Sequence, residues 1–175
     1  AMKGHVDLLG PASKVQEELM GIPSFDTPDY SELFSEEKEI IGKLKKAFLM
    51  VAGGAVQKYG PNLEDHQQLL TAAADILIEI YMAESTVLRT EKLAKKEGEE
   101  NVKEQIAMAK LYLYKAVDVV TQKGKESIIS FAEGDEQRMM LMGLRRFTKY
   151  TNMPNIVGLR ETITTKLVAE NSYCF

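Results

Sequence analysis

One cysteine, Cys174, and two histidines, His5 and His66, are the whole stock of these residues in 175 amino acids. A lone thiol excludes an internal disulfide and any thiolate cluster for structural zinc. Neither histidine stands in an E-x-x-H or H-x-x-x-H arrangement. A di-iron bundle needs two Glu-x-x-His motifs, so that class is excluded too. Positive charge is not in excess, because 22 Lys and Arg are set against 26 Asp and Glu for a net charge of −4. Nothing therefore draws the chain toward nucleic acid or an anionic membrane surface. The wholly apolar or glycine run that contains Phe48 to Val56 falls far short of the ~18 residues that span a bilayer. No basic-then-apolar signal pattern opens the chain, and the expected setting is cytoplasmic. No Gly-rich phosphate loop occurs, and no serine or cysteine has a neighbouring base pattern that marks a nucleophile.

What is present is helical periodicity. Asn62 to Glu97 and Glu99 to Phe131 each keep a three- and four-residue apolar rhythm and meet at Gly98. Helices of that length run roughly 45 to 50 Å and must pair antiparallel across so short a break. In the first, Leu69, Ala73, Ile76, Leu77, Ile80, Ala83, Val87 and Leu88 make a face wide enough for two neighbours. The second carries Val102, Ile106, Ala109, Leu113, Ala116, Val120, Ile128 and Phe131. An earlier helix is expected to be capped by Ser35, with Glu36 and Glu37 in its first turn, and to end at Gly60-Pro61. Gly53-Gly54 inside it predicts either the close approach of a partner helix or a hinge, since each glycine costs about 1 kcal/mol against alanine.

Before it, His5–Leu9 and Ala12–Met20 read as two short pieces broken at Gly10-Pro11. A turn-rich linker follows, in which Phe25, Tyr30 and Phe34 pack locally or anchor on a neighbouring surface. After Gly134, Asp135 is expected to cap a helix to about Tyr150, and Pro154 to begin a last one over Asn155–Ala169. No segment alternates with period two. The fold class is all-α, an elongated antiparallel four-helix-type bundle whose fourth position is split into two shorter helices.

Few side chains stand out chemically. His66 sits in an acidic first turn and reads as a surface residue. Met139, Met140 and Met142 suit either core filling or an adaptable interface. Arg145, Arg146 and Lys149 complement a helix's C-terminal carbonyls, or meet an anionic ligand or another domain's carboxylates. Tyr112 and Tyr114 point to different faces of one helix, so at least one is expected to be exposed or to meet another chain. Cys174 reads as an exposed thiol. The pairs Glu39–Lys43, Glu91–Lys95 and Glu99–Lys103 are expected on exposed faces.

The opening AMKGHVDLLGPASKVQEELMGIP, the bundle pattern and the ending NIVGLRETITTKLVAENSYCF together resemble the C-terminal part of a long-form acyl-CoA dehydrogenase. The similarity is to the bacterial enzymes with an extra helical domain and, more distantly, to the mitochondrial very-long-chain type. It implies that residues 1–34 are the end of the dehydrogenase core and a linker, and 35–175 a C-terminal bundle domain. In that family FAD is held by the core, where a glutamate removes the substrate's α-proton. Nothing here matches that glutamate or the family's E-G-T-N flavin-contacting stretch. No catalytic, cofactor-binding or metal residue is carried over, and the chain alone is expected to be inactive. The implied partners are the core of the same polypeptide and a second subunit in a homodimer, with FAD only in the parent protein and no nucleic acid or membrane.

A second class remains open at this stage: a free-standing helical module that binds a partner helix or small ligand. An upstream reading frame entering a flavoprotein core discriminates between the two. Membrane-surface association through the linker is disfavoured, because SFDTPDYSELF is acidic and lacks a basic amphipathic stripe.

Overall fold

The computed structural model describes residues 7–21, 29–172 and 174, so His5 and Phe25 lie outside the described residues. Six α-helices follow in order: α1 Leu9–Met20, α2 Ser35–Tyr59, α3 Gln67–Glu97, α4 Lys103–Phe131, α5 Gly134–Phe147 and α6 Ile156–Glu170. Single 3-10 segments, Gly60–Asp65 and Glu99–Val102, lead into α3 and α4. Among the described residues there is no strand.

The scaffold is α2, α3 and α4, each packed on the other two. Ile40 and Leu44 from α2, Ile76 and Val87 from α3, and Leu113, Val120 and Ile128 from α4 are fully enclosed between them. Helices α3 and α4, of 31 and 29 residues, are each about 45 Å long. The fourth position is divided as expected. Helix α5 packs on α2 and α4, while α6 packs on α4 farther along. The contrast between α5 and α6 is instructive. Met140, Gly143, Leu144 and Phe147 are buried, whereas no residue of α6 is fully buried and Ile156, Leu159, Ile163 and Leu167 are half-covered.

Several helix ends differ from the expectation, each for a local reason. Helix α1 runs straight through Gly10-Pro11, because Pro11 falls in the first turn, where its missing N–H would have had no intrahelical partner. Ser35 is already helical, and its hydroxyl donates to the Glu32 carbonyl at 2.8 Å rather than capping. The cap position belongs to Phe34, at a left-handed φ of 64° that a bulky residue seldom adopts; its side chain, fully buried in the core, compensates. Asn62 does not begin α3, since a 3-10 turn delays the helix to Gln67. Gly98 has a positive φ of 88°, but with ψ at 143°, so glycine is required without a left-handed helical cap. Asp135 lies inside the first turn of α5 and pairs with Arg138, the cap being Glu133. Helix α5 ends at Phe147, short of Tyr150. Pro154 stays outside α6, and Asn155 caps it by accepting from the Gly158 N–H at 3.1 Å.

Gly53 and Gly54 mark a close approach of helices. A Cβ on Gly53 would lie 2.4 Å from that of Ala12 in α1. One on Gly54 would meet Met140 at 2.8 Å and the Phe131 ring at 3.0 Å. The pair thus lets α1 press on one flank of α2 and the α4–α5 junction on the next. Between helices, Lys38 reaches Glu91 at 2.7 Å and Lys45 reaches Glu84 at 2.6 Å, lacing α2 to α3. Glu39–Lys43 and Glu91–Lys95 both form. Glu91 is nevertheless largely covered rather than on an outside face. The Glu99–Lys103 pair is absent, because Glu99 lies in the 3-10 turn, where residues four apart do not share a face.

Candidate docking face

Helix α3 is apolar on two sides. Its inner side carries Ala72, Ile76, Ile80, Ala83, Val87 and Ala94 against α2 and α4. Successive residues advance by about 100° around a helix, which puts Ala74, Leu77, Ile78, Tyr81, Ser85 and Leu88 on the outward side, flanked by Met82. Ile78 is 57% exposed, Tyr81 69% and Met82 44%. No charged residue interrupts this strip. Asp75 and Glu79 fall to its side and are engaged by Lys123 and Tyr112, and beyond Leu88 come the exposed Arg89 and Lys92.

Sequence periodicity placed Leu77 and Leu88 on the core face and passed over Ile78, Tyr81 and Met82. The broad face does meet two neighbours, α2 and α4, yet Leu77 and Leu88 lie past its edge. The readable signal was ADILIEIYMA over 74–83, where apolar residues occur on almost every side of the helix rather than along one stripe. Such a helix expects cover all round.

The residues singled out for chemistry are dispersed. The His66 ring stacks on Tyr59 with centroids 3.6 Å apart, half-buried at the corner where α2 turns into α3. Among the described residues, no group of three His, Cys, Asp or Glu is placed to hold a metal ion. Met140 is buried, Met139 half-buried and Met142 exposed, so the methionine patch divides between core and surface. Arg145 and Arg146 occupy the last turn of α5, with Lys149 just beyond, all three exposed. Tyr112 and Tyr114 are both half-buried within the chain, so neither is exposed. Burial, and then the Glu79 carboxylate it bonds, raise the Tyr112 hydroxyl above its ordinary pKa. The Tyr114 ring lies 6.2 Å from Tyr150. Tyr150 is buried with its hydroxyl unpartnered, and burial first, then Glu37, push its pKa up. Cys174 is half-covered rather than exposed.

Of the linker aromatics within the described residues, Tyr30 and Phe34 both pack on the bundle itself. Tyr30 donates to Glu39 at 2.7 Å, and Phe34 is in the core. Among the described residues, no helix is long and apolar enough to cross a membrane.

Among the described residues the chain is an all-α bundle with an uncovered apolar face on α3. The family model for the acyl-CoA dehydrogenase C-terminal domain matches residues 43–146, more than half of the chain. The chain is also 36% identical over 170 residues to a probable acyl-CoA dehydrogenase of Bacillus subtilis strain 168. That match takes in 97% of this chain and 28% of the relative, in its C-terminal part. The crystal structure of an acyl-CoA dehydrogenase complexed with FAD from Bacillus anthracis superposes with a TM-score of 0.90 at 37% identity, over 99% of this chain and 29% of that one. The chain belongs to the acyl-CoA dehydrogenase C-terminal domain family, and it spans less than a third of the length of either protein.

Proposed function

We propose that this chain is the non-catalytic C-terminal domain of a flavin-dependent acyl-CoA dehydrogenase of the long, very-long-chain-like form, acting in fatty-acid β-oxidation. Residues 1–34 are then the end of the dehydrogenase core and its linker, and residues 35–175 the bundle that packs on the core and sets its dimeric assembly. The observation that carries the reading is the match of nearly the whole chain to under a third of an FAD-complexed dehydrogenase.

The seat of α1 supports it. Ala12 presses on Gly53, and a Cβ on Gly143 of α5 would lie 2.8 Å from Leu19. Lys46 holds Glu18 at 2.7 Å from the side. A core that ends in α1 is thereby packed directly on α2 and α5, instead of hanging from a free linker. In such an enzyme FAD accepts hydride in the core, and these helices contribute packing and assembly rather than a reacting group.

An absorption spectrum tests the assignment. The full-length protein is expected to carry bound flavin and to oxidise acyl-CoA thioesters, while residues 1–175 alone are colourless and inactive. A colourless full-length protein contradicts the reading, as does flavin bound by these residues alone.

A further inference from the structure

We propose that the outward face of α5 is an interaction surface for a second, different protein that presents carboxylates, a contact beyond the packing and assembly assigned above.

Residue types carry the first part of the argument. Of the five arginines in the chain, three, Arg138, Arg145 and Arg146, stand on this helix of 14 residues, while most of the other cations are lysines. Arginine and methionine are enriched where proteins meet, and lysine is depleted there. Met142 lies among the three guanidinium-bearing positions and is 73% exposed. Arg145 and Arg146, with Lys149 just beyond, are exposed and make no ion pair among the described residues. Arg138 has one partner, Asp135 at 3.2 Å, and both groups stand in open water, where such a pair is worth little. The helix dipole accounts for cations in the last turn, at Arg145 and Arg146, but not for Arg138 in the first half of the helix. From 134 to 149 four cations stand against Asp135 and Glu136, in a chain whose net charge is −4.

Geometry narrows the partner. Successive residues turn by about 100°, so Arg138, Met142 and Arg145 share one side of α5, within about 10 Å along its axis, and Arg146 flanks them. The side toward α1 is different: Gly143 approaches Leu19, and Glu136 and Met139 line the small cavity between α1, α2 and α5. The cationic side is turned roughly 120° from it, so a partner can lie there without displacing α1. A second copy related by a twofold axis would set cations against cations, which disfavours a symmetric contact. The face is also the convex outside of a single helix, and it offers a small anion no enclosure. What fits is an extended surface, with carboxylates opposite the arginines and an apolar side chain over Met142. Charges at the rim of such a contact govern the rate of encounter and its sensitivity to salt.

The test uses the full-length flavoprotein and a stand-in partner, a fluorescein-labelled peptide of repeated Glu-Glu-Leu-Glu units, with binding read by fluorescence anisotropy. The unmodified protein is expected to bind the peptide, and to bind it more weakly as salt is raised. Arg145→Glu with Arg146→Glu should weaken binding at least about tenfold. Arg89→Glu with Lys92→Glu, which reverses the same number of exposed cations on α3, should weaken it less than about twofold. Met142→Gln leaves every charge in place and should still weaken it about threefold, through lost apolar contact. Circular dichroism and the flavin spectrum check that each variant is folded. No binding, or equal weakening by the two charge-reversed pairs, overturns the proposal. So does displacement of the peptide by inorganic pyrophosphate as readily as by unlabelled peptide, which would mean a small-anion site, or capture of phosphatidylglycerol vesicles through the same arginines, which would mean a membrane contact.

Discussion

Glu36 holds Asn152 by both carboxylate oxygens, across 116 residues of chain: Oε1 accepts the Asn152 backbone N–H at 2.7 Å and Oε2 accepts its side-chain amide at 3.1 Å. The Thr151 N–H adds a third bond to Oε1 at 3.1 Å. One first-turn residue of α2 thus satisfies the bend between α5 and α6, which has few other polar partners.

Removing that carboxylate should loosen the bend without unfolding the bundle. Glu36→Ala is expected to cost about 1 kcal/mol, below the usual range for charge-assisted bonds because the site is open to water. Amide exchange at Thr151 and Asn152 should speed up, while that of the α3–α4 core stays unchanged. Equal exchange in both proteins would contradict the role.

Two glycines of α2 should respond with opposite signs. Gly53→Ala places a Cβ 2.4 Å from that of Ala12, an atom fixed to the α1 backbone, so α1 has to move. Overpacking of about 1–3 kcal/mol exceeds the ~1 kcal/mol gained in helix propensity, and the melting temperature should fall. Gly42 has nothing within 4 Å of an added Cβ. Gly42→Ala should gain about 0.5–1 kcal/mol, and thermal unfolding of the two variants side by side checks the pair.

Glu91 supplies a pH signature. Hydrogen bonds from Lys38, then Lys95, hold its carboxyl below the ordinary carboxylate range. A folded-state pKa below the unfolded value means that the stabilisation is complete above the ordinary carboxylate range. It is lost as pH falls through the lowered folded value. Glu91→Gln should therefore melt lower than the parent from pH 6 to 8, with a gap that closes below about pH 4. A gap that persists in acid would mean that packing, rather than charge, was lost.

The fold was legible because periodicity is a direct record of burial. Leu113, Val120 and Ile128, read from their spacing, are fully enclosed, and Gly53-Gly54 lies where helices come close. Boundaries were less legible. Pro11 broke the pattern of α1 only on paper, since proline in a first turn loses no hydrogen bond. The capping role of Phe34 could not be read from residue type, because its left-handed backbone is held by tertiary burial of the ring. The outward face of α3 was the principal miss. Spacing alone divides a helix into an inside and an outside, and it puts Leu77 and Leu88 inside because a helix apolar nearly all round has no obvious outside.

If this bundle sets the assembly of a dehydrogenase whose chemistry lies elsewhere, as proposed above, its removal changes the oligomer. Analytical ultracentrifugation of the full-length flavoprotein, with and without residues 35–175, tests it most directly. A dimer that shifts to another oligomeric state on truncation, with flavin retained, is the predicted result. An unchanged oligomer contradicts the claim.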